Sequence, residues 1–310
     1  MRTYTDCFIC FMNLALNIAR RTGSDELRER EILERVAGML PSFSLDARPP
    51  ETALLVNNIV KEITGVEDPF REDKKISNRI ALQMAPEVRT AIRERKDPLL
   101  SAIEFSIAGN SIDFGANHDL DLGKALREIV QNESGRLKSE NPSHFLLDDF
   151  KKDLKTASNL LFLADNAGEI VFDMLLIEYL LERYPNLTIT VAVRNSPIIN
   201  DVTLEDADDI GLSGKVRVIS SGSDTAGTVL SMCTPEFLRI FYDADIVIGK
   251  GQGNFETLSD ADRKVYLLFK SKCNAIARHT GSRIGDIMLI TSEDFQPAGI
   301  DARQASENMK

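Results

Sequence analysis

The chain has 310 residues, 43% of them hydrophobic, and 48 acidic against 37 basic side chains give a net charge of -11. That length can bury a sizeable core and accommodates two domains. The acidic balance, with no Lys/Arg run longer than two residues, excludes a general nucleic-acid or anionic-membrane binder, because those partners need clustered cations to neutralise phosphates.

In chain order, Thr5 or Asp6 caps a first helix that runs to Arg21 and stops near Gly23. Its apolar stretch, 7–19, is too short to span a bilayer and is interrupted by Asn13 and Asn17. Asp6 stands where a secretory leader would carry basic residues, so the stretch reads as an amphipathic helix of a cytoplasmic protein. Ser24 is the cap expected for the next helix, whose apolar stripe of Leu27, Ile32, Leu33, Val36 and Leu40 ends at Pro41. Further helical patterns cover 51–63, 70–85, 86–95 and 98–107, with no alternating β-branched run among them. Residues 108–121, AGNSIDFGANHDLD, form a polar connection, and 133–142 are a solvated hinge candidate. The expected organisation is a helical domain over 1–157 and an α/β domain over 158–310.

From Leu160 the period changes. Strand candidates at 160–164, 188–193, 216–220, 245–248, 265–269 and 286–290 alternate with helical stretches at 170–181, 204–209, 235–242, 255–261 and 273–280. Alternating strand and helix implies a doubly wound, mainly parallel, Rossmann-like sheet. The central stretch is LLFLADNAGEIVFD, 160–173, an apolar strand that stops at Asp165 and Asn166, turns at Gly168 and enters a helix. Ligands of open parallel sheets bind beyond the carboxyl ends of strands, and the first groups at this edge are acidic, so a cation is the natural guest. Neighbouring strands bring RNSPIIND, ending at Asp201, SSGSDTAGT with Gly227, and GKGQGN with Lys250 and Gly251 to the same edge. Carboxylate and amide oxygens suit a hard divalent ion, and a lysine among glycines suits a phosphoryl oxygen. Taken singly these are also ordinary turn and cap residues, and the G-x-G-x-G spacing is neither a dinucleotide fingerprint nor a Walker motif.

LADNAGEIVFD, RNSPIINDVTLEDA, GSDTAGTVL and IGKGQGNFETL, with NSIDFG upstream and FKSKCNAIA downstream, together resemble the metal-dependent damage-control phosphatases, formerly the domain-of-unknown-function-89 family. The N-terminal Cys-x-x-C, Cys7 and Cys10, is similar to the prokaryotic branch. The resemblance implies hydrolysis of phosphomonoesters of small metabolites, such as sugar phosphates, with one divalent ion: Mg, Mn, Co or Ni. It implies Asp165, Asn166 and Asp201 as metal ligands and Asn110 and Asp113 reaching the site from the helical half. Glu169 would help hold substrate, and Lys250, with backbone N–H groups near Gly227 and Gly251, would hold the phosphate. The nucleophile stays open between water and a carboxylate such as Asp165; water is preferred if Asp165 is a ligand, because metal binding makes a carboxylate a poorer nucleophile.

Cys7 and Cys10 lie at i and i+3, so a helix puts them on one side, as a metal or redox pair or as small apolar packing residues. Two rival readings are an S-adenosylmethionine-dependent carboxyl methyltransferase, disfavoured by the missing glycine fingerprint, and a non-catalytic metal or metabolite sensor built on those thiols.

Overall fold

The structure, a computed structural model, describes residues 1–109 and 144–295. Helix α1 (Thr5–Arg21) buries Cys7, Phe11, Ala15 and Ile18, spaced three or four residues apart as one helical face requires. Helix α2 (Glu26–Met39) is capped by Asp25, whose carboxylate accepts the Arg28 N–H at 2.9 Å, and not by Ser24, whose hydroxyl bonds Thr22. With α3 (Pro49–Thr64) these two enclose an apolar cluster around Ile18, Val36 and Val56.

The stretches expected as two helices, 70–85 and 86–95, form one helix, α4 (Arg71–Glu94), which continues through Pro86. Proline removes one helical N–H, but Pro86 lies on the exposed face of the helix, so the lost bond is on the solvent side. The buried stripe of Ala81, Met84, Ala85, Val88 and Ile92 carries the helix across it. Among the described residues, helices α5 (Pro98–Gly109) and α6 (Leu147–Leu154) follow in this half.

The second half alternates as expected: β1 (Asn159–Leu163), α7 (Glu169–Arg183), β2 (Thr188–Val193), α8 (Leu204–Asp209), β3 (Arg217–Ser220), α9 (Pro235–Asp243), β4 (Ile246–Lys250), α10 (Gly251–Leu258), β5 (Tyr266–Lys270), α11 (Asn274–Thr280) and β6 (Ile287–Thr291). The six strands are ordered β3-β2-β1-β4-β5-β6, all parallel except β6, which pairs antiparallel with β5. Successive side chains of a strand face opposite ways. Leu160 and Phe162 of β1 accordingly join the apolar cluster that includes α4, α5 and α7, and Leu161 and Leu163 join the one that includes α9 and α10. Both faces of β1 are covered, which is why it is a continuous apolar run. Among the described residues no helix is long and apolar enough to cross a membrane.

Strand order reverses beside β1, which has β2 on one side and β4 on the other. Ligands of open parallel sheets bind at such a switch point, and Asp165 and Lys250 stand there, at the carboxyl ends of β1 and β4.

Candidate functional site

Backbone hydrogen bonds stitch the loops after β1 and β2 together. Val202 N donates to Asp165 O and Ala167 N to Asn200 O, both at 2.9 Å, and Asn166 and Asp201 pair as an antiparallel bridge. Gly168, at φ +80°, supplies the left-handed turn that admits α7. The two aspartates are therefore neighbours although thirty-six positions separate them in the chain.

Arg194, from the end of β2, lies between them. Its Nε donates to Asp201 Oδ2 at 2.7 Å and its Nη1 to Thr228 Oγ1 at 3.1 Å. Its Nη2 sits 3.7 Å from Asp165 Oδ1 and makes no hydrogen bond among the described residues. The guanidinium is buried, as are both carboxylates. Burial, then the negative charges of Asp201 and Glu169, push the Asp165 carboxyl well above the usual carboxylate range, against the pull of Arg194 and of the exposed Lys272. Burial raises Asp201 as well, with Arg194 opposing.

Lys250 ends β4 with its ammonium fully buried. It donates to Glu169 Oε1 and Asp173 Oδ1, both at 2.6 Å, and to the Ser106 carbonyl at 3.0 Å. Ser106 Oγ donates to the same Asp173 oxygen at 2.6 Å. Burial carries the Asp173 carboxyl up to about 7 despite Lys250, and the two carboxylates hold the lysine above its ordinary value despite its own burial. Glu169 also accepts from Asn166 Nδ2 at 3.3 Å, and that amide gives a second, 2.6 Å bond to Asp165 Oδ2.

A family model of the damage-control phosphatase ARMT1-like domain matches residues 3–288. The chain belongs to this family. It is 33% identical to the uncharacterized protein MJ0202 of Methanocaldococcus jannaschii, over 92% of this chain and 94% of that one. It is 32% identical to the damage-control phosphatase PH1575 of Pyrococcus horikoshii, over 90% and 94% of the two chains. A damage-control phosphatase of Archaeoglobus fulgidus is 29% identical over 86% and 91%. The crystal structure of PH1575, described as a DUF89 family protein, superposes with a TM-score of 0.84, covering 94% of this chain and 99% of that one at 29% identity. The resemblance read from the motifs and the expected helical-plus-α/β fold both hold.

Membership in this phosphatase family implies a metal, and the donor chemistry at the β1 edge fits a hard divalent cation. Asp165 and Asp201 offer carboxylate oxygens and Asn166 an amide; burial, with the negative charge of Glu169 added, displaces both aspartates upward, and a dication beside them would favour their charged forms. Among the described residues no group of three or more His, Cys, Asp or Glu forms a metal cage.

The other expected residues of the phosphatase fall out variously. The glycine-rich stretch is not a loop: Lys250 ends a strand and Gly251 opens α10, four residues before the helix start read from sequence. A Cβ on Gly251 would lie 1.8 Å from Asp165 Oδ2, so this glycine makes room for the aspartate. Gly227 packs on the Gly253 carbonyl of α10, and its N–H donates to Thr225 O at 2.8 Å. Asn110 and Asp113 lie outside the described residues. Cys7 is buried in the helical core and Cys10 is exposed; both are free thiols raised by burial. Sequence reading missed Asn254, whose Nδ2 bonds the carbonyls of Ala164 and Lys250 and whose Oδ1 accepts from Thr228, tying the ends of β1 and β4 to the loop after β3. It also missed Ser106, because nothing local marks a serine on an apolar helix as the partner of an aspartate 67 residues away.

Proposed function

We propose that this phosphatase hydrolyses phosphomonoesters of small metabolites, sugar phosphates among them, with a divalent cation (Mg, Mn, Co or Ni) held by Asp165, Asn166 and Asp201. The observation that carries the reading is the buried Asp165–Asp201 pair. Both carboxylates are driven toward their neutral forms by burial, and Arg194 pairs with each of them. When bound, the cation polarises a phosphoryl oxygen as a Lewis acid.

The chain's own groups supply the rest. Arg194 keeps the two aspartates together against their repulsion, and its Nη2 pair remains to donate to a phosphoryl oxygen near Asp165. Lys250 holds Glu169 in place through the 2.6 Å ion pair, and Glu169 orients Asn166. Lys250 thus serves the phosphate site through Glu169. Lys272, exposed and within electrostatic reach of Asp165, adds a cation on the solvent side. The amino end of α10 at Gly251 abuts Asp165, and its dipole favours anionic charge there.

The test is phosphate release over a panel of sugar and other small-metabolite phosphates. The protein is chelated first, each metal is added back separately, and Asp165→Ala is run alongside. Metal-dependent release that the substitution abolishes is expected. A folded protein that releases no phosphate with any metal overturns the reading.

A further inference from the structure

Both acid-bearing loops are held from outside the sheet half by one face of one helix. Lys74 and Asn78 of α4 are four residues apart, one turn on the same side, and both are buried, at 2% and 4% exposure. Asn78 Oδ1 accepts the Gly168 N–H at 2.7 Å. Gly168 is the capping residue of α7, stands between Asn166 and Glu169, and has no side chain with which to anchor its own turn. Lys74 Nζ donates to Asp206 Oδ2 at 2.8 Å and pairs with Asp68 at 3.0 Å. The same Asp206 oxygen accepts from Thr203 N at 2.9 Å and Thr203 Oγ1 at 2.7 Å, closing the start of α8 two residues beyond Asp201.

A buried ammonium is a costly way to fasten two elements, since apolar packing would do it without desolvating a charge. What the ion pair and the amide supply is direction: each fixes one loop at a defined polar atom. We propose that Lys74 and Asn78 are positioning residues of the phosphatase, setting the distance between the Asp165–Asn166–Glu169 turn and Asp201. The inference rests on the metal site proposed above. Neither side chain touches substrate. Both act through the loops that carry the oxygen donors, as groups behind metal ligands do.

The experiment uses the full chain with Asn78→Ala, Asn78→Asp, Lys74→Met and, as a control, Arg71→Ala, which breaks only the exposed α4–α8 ion pair with Glu205. Mn²⁺ affinity is titrated by loss of the free-ion paramagnetic resonance signal, with the thermal midpoint and the kcat and KM of phosphate release measured alongside. Asn78→Ala and Lys74→Met should each weaken Mn²⁺ binding about 10- to 100-fold and lower kcat more than they raise KM, whereas Asn78→Asp, which keeps the acceptor, stays within about threefold. The double variant should lose less than the product of the single losses, because both residues act on one pair of loops. Arg71→Ala should bind Mn²⁺ as the parent does. Unchanged Mn²⁺ affinity in folded Asn78→Ala and Lys74→Met overturns the proposal, and so does an equal loss in Arg71→Ala. Should either of the first two fail to fold, Lys74→Arg decides. It keeps the charge but moves the donor, so weaker Mn²⁺ binding at an unchanged thermal midpoint supports the inference and unchanged binding overturns it. A wild-type chain with no metal-dependent release sinks the function reading and this one with it. An active wild type with unaffected variants sinks this one alone.

Discussion

Replacing Gly251 by alanine puts the fit between β4 and the acid loop under direct strain. The added Cβ would lie 1.8 Å from Asp165 Oδ2, 2.1 Å from its Cγ and 2.8 Å from its Cβ, where ordinary contact begins at 3.4 Å. The carboxylate must retreat by about 1.6 Å, and rotating χ1 does not suffice because the Asp165 Cβ is itself in the way. Gly251 also sits at φ +75°, which costs an L-residue about 1–2 kcal/mol. The two effects separate cleanly, because Gly65, at φ +71°, has nothing within 4 Å of its would-be Cβ. Gly65→Ala should therefore lose about 1 kcal/mol in urea unfolding and keep its phosphatase rate. Gly251→Ala should lose at least that much stability and, with the aspartate displaced by more than an ångström, about 100-fold in kcat/KM. The assays are urea melts, Mn²⁺ titration and phosphate release on both variants. Equal activity in the two would refute the claim that Gly251 is there for Asp165.

Other expectations concern the buried charges. Lys250→Met strands Glu169 and Asp173 and should cost about 3–5 kcal/mol by denaturant unfolding, with partial recovery on adding Asp173→Asn; a loss under about 1 kcal/mol would contradict the buried ion triad. Glu256, on α10, has its carboxyl raised from 4.5 to about 7 by burial. A raised carboxyl stabilises the fold below its unfolded value and loses that contribution as pH climbs through about 7. Glu256→Gln should therefore gain on the parent by up to about 3 kcal/mol between pH 4.5 and 8, and parallel stability curves would refute this. Removing metal should lower the thermal midpoint. Saturating Mn²⁺, at about 100 times its dissociation constant, should restore about 2.7 kcal/mol in the parent and none in Asp201→Asn.

Much of the architecture is written locally. After the exposed Asn159, β1 is apolar at every position because both its faces are covered, and the alternation of strands and helices after Leu160 identifies the wound sheet without any partner being known. Asp165, Asn166, Asp201 and Lys250 could be assigned to one edge because parallel strands deliver their carboxyl ends to the same side. Local pattern failed where a long-range contact outweighed it. Pro86 does not end a helix whose buried stripe runs on both sides of it. GKGQGN is not a loop, because Gly251 is needed to clear Asp165 and the rest of the stretch then continues as α10.

What the chain alone could not disclose is which charges meet. Arg194 reads as any basic residue after a strand until β1 and β2 set it between two aspartates. Lys250 reads as a phosphate-facing lysine until α5 and α7 close over it with Ser106, Asp173 and Glu169. Sequence period reports which side chains leave water, because that depends on each residue's own face. The pairing of buried charges depends on the distance between elements far apart in the chain, and only the packed tertiary structure decides it.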